Sequence, residues 1–130
     1  MRDHDALHDY INTKRDQAFG WSTHDCCIGF AAGAVKVQTG IDPLEDVKPW
    51  KDMKGAASEL KKRGGWFEAI SSRLTEIPPA FAKRGDVALV EGPGVTALMI
   101  VDGETLVGVG ADGLVRLPRD AMKVAWSADA

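Results

Sequence analysis

Two thiols and an imidazole stand together in the segment Gly20-Trp21-Ser22-Thr23-His24-Asp25-Cys26-Cys27. Cysteine is the strongest nucleophile among the common side chains, and its reactive form is the thiolate. Cys26 falls where a polar turn gives way to a long apolar stretch, at the expected first turn of a helix. Backbone N–H groups and the helix dipole favour a thiolate there. The chemistry this points to is attack on an amide carbonyl, an acyl-enzyme intermediate and release by water. Such a nucleophile needs a positioned base. His24 is the only imidazole close in sequence to Cys26, and it lies on the same turn. To serve as a substitute base its ring would have to fold back over the helix start. A capping or hydrogen-bonding role suits it better, since helix termini need polar partners. Asp25 fits best as a carboxylate that caps or orients the helix start. Cys27, one step further on, is expected to point into the core.

The other reactive side chains form no second constellation. His4 and His8 are spaced one helical turn apart, which suits a metal. No further ligand lies near them in sequence, so an exposed polar face is expected and no metal is assigned. The two cysteines are adjacent, which disfavours a disulfide and makes no zinc signature. Gly92-Pro93-Gly94 and Gly108-Val109-Gly110 do not lead a strand into a helix, so no phosphate loop or cofactor site is expected. Trp21, Trp50, Trp66 and Trp126 are expected in core or rim packing.

The elements that must carry Cys26 follow from pattern. The chain has 130 residues and 45% apolar content, enough for one domain spanning 1–130 with a real core. Residues 3–19 read as an amphipathic helix capped by Asp3, with Leu7, Tyr10, Ile11 and Ala18 near one face. Residues 25–39 read as a second helix, with Thr23 or Asp25 as cap and Gly40 as stop. This helix is apolar on nearly every side, so it should be the buried central one. Its Ala31-Ala32-Gly33-Ala34 run would let other elements approach closely. Shorter helices are expected over Met53 to Lys62, between Asp52 and Gly64-Gly65, and over Trp66 to Leu74. Pro78-Pro79 breaks the helical half.

From Arg84 onward short apolar runs alternate with turns. Strands are expected at Val87–Val90, Ala97–Val101, Thr105–Val109, Leu114–Leu117 and Val124–Trp126. Asp102-Gly103 and Ala111-Asp112-Gly113 read as hairpin turns. The expected fold class is α+β: N-terminal helices around a buried central helix, packed on an antiparallel meander of about five strands.

Asp25-Cys26 with Phe30, opening a buried helix, followed by Arg84-Gly85-Asp86-Val87 opening a sheet, resembles the NlpC/P60 superfamily of papain-like cysteine peptidases. A closer resemblance is to small proteins of bacteriophage and prophage tail regions. It rests on His24 to Cys27, Thr39-Gly40-Ile41-Asp42-Pro43, Gly85-Asp86 and Ala125-Trp126. The resemblance implies a papain-like fold with Cys26 in the nucleophile's place. It also implies a histidine at the start of the strand that follows the Gly-Asp strand, and a polar residue on the next. This sequence has Thr96-Ala97-Leu98-Met99 and Leu106-Val107-Gly108-Val109 at those places, and no histidine after His24.

Three functions remain open on these grounds. The favoured one is a tail-associated NlpC/P60-like protein without a complete catalytic dyad, acting in assembly or binding. The second is an active cysteine hydrolase cutting a cell-wall peptide amide through Cys26. The third is a non-catalytic peptide-binding module. Partners would be phage-type tail proteins or a peptide substrate. A net charge of −3 with scattered cations argues against nucleic acid. No run approaches the roughly 20 apolar residues that span a bilayer. The N-terminus has no signal-peptide pattern, so a cytoplasmic location in a bacterial host is expected, with incorporation into a phage-like particle as its extension.

Overall fold

The computed structural model describes residues 3–15, 27–43, 54–55, 58, 61–62, 66–92, 95–110 and 113–129. Helix α1 spans His4–Lys14 and is capped by Asp3, whose carboxylate accepts from the Ala6 N–H at 2.9 Å. Leu7 and Ile11, one turn apart, are its buried residues. Its last carbonyls have other business: the Arg15 carbonyl accepts from the Leu114 N–H at 2.9 Å, which ties the helix end to the sheet. The expected continuation over 16–19 lies outside the described residues.

Helix α2 spans Cys27–Thr39. Phe30, Ala31, Ala32, Ala34 and Val35 are all buried, which makes it the central helix that its composition implies. It ends at Gly40, whose φ of 82° suits the left-handed turn after a helix; the Gly40 N–H donates back to the Lys36 carbonyl at 2.8 Å. Helix α1 packs against α2. The contact is close because Gly33 has no side chain: a Cβ there would lie 2.3 Å from the Tyr10 hydroxyl oxygen. Tyr10 donates to the Phe30 carbonyl at 2.9 Å, and its ring lies 5.4 Å from that of Phe30.

Residues 54, 55, 58 and 61 are helical, within the short helix expected from Met53 to Lys62. The expected Asp52 cap and Gly64-Gly65 stop lie outside the described residues. Helix α3 spans Trp66–Ser71 and is shorter than expected. The Arg73 and Leu74 N–H groups both turn back to the Ile70 carbonyl, at 2.9 Å each, and close it early.

Six strands form one sheet: β1 (Thr75–Ile77), β2 (Val87–Gly92), β3 (Val95–Asp102), β4 (Thr105–Gly110), β5 (Gly113–Pro118) and β6 (Met122–Ser127). Their spatial order is β1-β6-β2-β3-β4-β5, and every pairing is antiparallel. Two corrections to the expected five-strand meander follow. Thr75–Ile77 is an additional edge strand, too short to show a period of two and masked by the prolines that follow it. The last strand does not sit beside β5. It crosses back to pair with β2, because Pro118 and the 3₁₀ turn Arg119–Ala121 replace a tight hairpin.

The sheet buries both faces. Val87, Leu89, Leu98, Ile100, Val107 and Trp126 join α1 and α2 in one cluster. Ala88, Met99, Val101, Leu106, Met122 and Ala125 form another, closed by Ala82 and Ala121 at the two 3₁₀ turns. Trp126 is fully buried, and its indole N–H donates to the Ser71 hydroxyl at 3.1 Å, which fastens α3 to β6. Burying a side chain of this size stabilises by about 3 kcal/mol, and its N–H needs that partner.

Candidate functional site

His24, Asp25 and Cys26 lie outside the described residues, so the site is bounded by the elements around it. Helix α2 begins at Cys27, immediately after the candidate nucleophile in sequence. Its other end is fixed to the sheet. Gln38 donates through Nε2 to the Gly85 carbonyl at 3.1 Å and to the Ala34 carbonyl at 3.0 Å. The Gly85 N–H in turn donates to the Val101 carbonyl near the end of β3, at 2.7 Å. Helix α2 packs along β3 and, less extensively, β4. The C-terminal end of α2 is thus anchored beside the C-terminal end of β3.

The described strand residues that share a core cluster with α2 are apolar. Leu98, Ile100 and Val107 are at most 2% exposed and share one cluster with Phe30, Ala31, Ala34 and Val35. Val107, on the strand where the resemblance implies a polar residue, is packed as core. Thr96, near the strand start where the resemblance implies a histidine, pairs with Glu91 in the β2–β3 register. His4 and His8 both sit on α1 at exposed positions. The His8 ring nitrogen Nε2 lies 3.0 Å from the Asn12 amide, and His4 borders a groove at the far end of α2.

That far end carries a buried polar network that the sequence motifs only hinted at. Asp86 is fully buried, and its two carboxylate oxygens accept from the Lys83 N–H at 2.8 Å and the Ala128 N–H at 3.1 Å. Gly85, at φ 96°, brings its backbone so close to Gln38 that a Cβ would lie 1.9 Å from Oε1. The Gly-Asp pair therefore acts as a joint between helix, sheet and C-terminal tail. Gln38 was the residue missed in sequence. Its signal was the one amide on a helix that is mostly apolar.

A second charged group sits at the β3–β4 turn. Asp102 receives Arg84 Nε on one oxygen and Arg116 Nη1 on the other, each at 2.9 Å. Burial pushes its carboxyl up, but the hydrogen bonds and charges of Arg84 and Arg116 outweigh that and hold it below the ordinary 3.8. Burial alone pushes the Tyr10 phenol up, so it stays a neutral donor.

No curated protein and no solved structure matches this chain. A family model described as a domain of unknown function matches residues 1–128. Because that match spans nearly the whole sequence, from α1 through β6, the chain belongs to the DUF6950 family.

Proposed function

We propose that this chain is a papain-like domain of the NlpC/P60 type that retains the frame of a cysteine peptidase without its dyad, and serves as an assembly or binding component of a phage or prophage tail. The observation that carries the reading is the absence of any histidine after His24, together with apolar packing where the sheet meets α2. A thiol without a positioned base lacks the general-base contribution of roughly 10²–10⁴-fold, and it lacks the partner that would return a proton to the leaving amine. A buried helix running along an antiparallel sheet, with a Gly-Asp joint before the first long strand, supports the kinship. The particle or the cytoplasm of a bacterial host is the matching location.

Hydrolysis of a cell-wall peptide amide through Cys26 is the competing reading, motivated by the position of the thiol before α2. Its base would be His24 or a residue of a partner. A peptide-binding module without chemistry differs only in partner class.

The test is affinity capture from a lysate of the phage or prophage host, with mass spectrometry of what is retained. The expected result is a tail protein held equally by the wild type and Cys26→Ala. Recovery of no tail component contradicts the assignment. Digestion of wall peptides by the wild type, lost in Cys26→Ala, would install the hydrolase in its place.

A further inference from the structure

We draw no further inference here: the strongest candidate, the groove of about 490 Å³ between the two 3₁₀ turns, lined by Pro79, Pro118 and Met122 and flanked in sequence by the exposed Phe81, carries nothing, because Arg119 shares its lining with Glu104 and Asp120, so that charge selects no partner, and nothing in the structure shows what covers it.

Discussion

The two ends of α2 were built by different rules. At the C-terminal end a set of polar groups ties helix to sheet: Gln38 Nε2 to the Gly85 carbonyl, the Gly85 N–H to the Val101 carbonyl, and Asp86 to the Lys83 and Ala128 N–H groups. Along the sheet α2 meets the apolar Leu98, Ile100 and Val107, and β3 brings no histidine. Both ends carry motif residues that resemble a peptidase. The Gly-Asp pair is held by geometry: Gly85 lies against Gln38, and Asp86 meets two backbone N–H groups. On the proposed kinship that pair keeps the frame, while the missing histidine removes the chemistry.

The contrast breaks most readily at Gly85. Gly85→Ala forces a side chain into the left-handed region at φ 96° and into Gln38. The combined backbone and hydrogen-bond loss is about 3–4 kcal/mol in urea unfolding. Asp86→Asn is expected to follow at about 2–3 kcal/mol, because an amide has one acceptor oxygen for two backbone donors and turns its NH₂ toward the other. Equal tolerance of both changes would mean the joint is not what fixes α2.

Gly33→Ala tests the middle of the helix. The new methyl meets the Tyr10 hydroxyl, and overpacking of this kind costs about 1–3 kcal/mol. Tyr10→Phe removes the colliding oxygen and its bond to Phe30, so the double variant should be less destabilised than the sum of the singles. Strict additivity would place α1 further from α2 than described.

The smallest effect is expected at Asp102. Its pKa is depressed, so its contribution is present above the unfolded value of 3.8 and is lost as pH falls through the lower folded value. Asp102→Asn should cost under about 1 kcal/mol at neutral pH, as partly exposed ion pairs do. The difference from wild type should begin to shrink below about pH 4 and vanish once the pH is under the depressed folded value. A difference that persists in acid would assign the effect to packing.

Much of this fold was legible in sequence because its signals are local. The mostly apolar α2 announced burial, Gly40 its end, and Asp102-Gly103 the β3–β4 hairpin. The return of β6 to β2 was not legible, since pairing across the sheet is decided by tertiary packing and leaves no turn signature. Thr75–Ile77 was too short and too close to Pro78 to read as a strand. At the candidate site, the sequence offers Cys26 as a nucleophile and no histidine after His24, and Cys26 lies outside the described residues. It could not reveal that Gln38 and Asp86 converge, because they lie on separate elements and meet only through Gly85 and the tail.

The most direct measurement is the rate of iodoacetamide alkylation at Cys26 in a Cys27→Ala background, followed against pH, with and without His24→Ala. The account predicts a rate at neutral pH no faster than that of an ordinary free thiol, and indifference to His24→Ala. A rate about a hundredfold or more above a free thiol, expected of a thiolate paired with an imidazole, and abolished by His24→Ala, would contradict it.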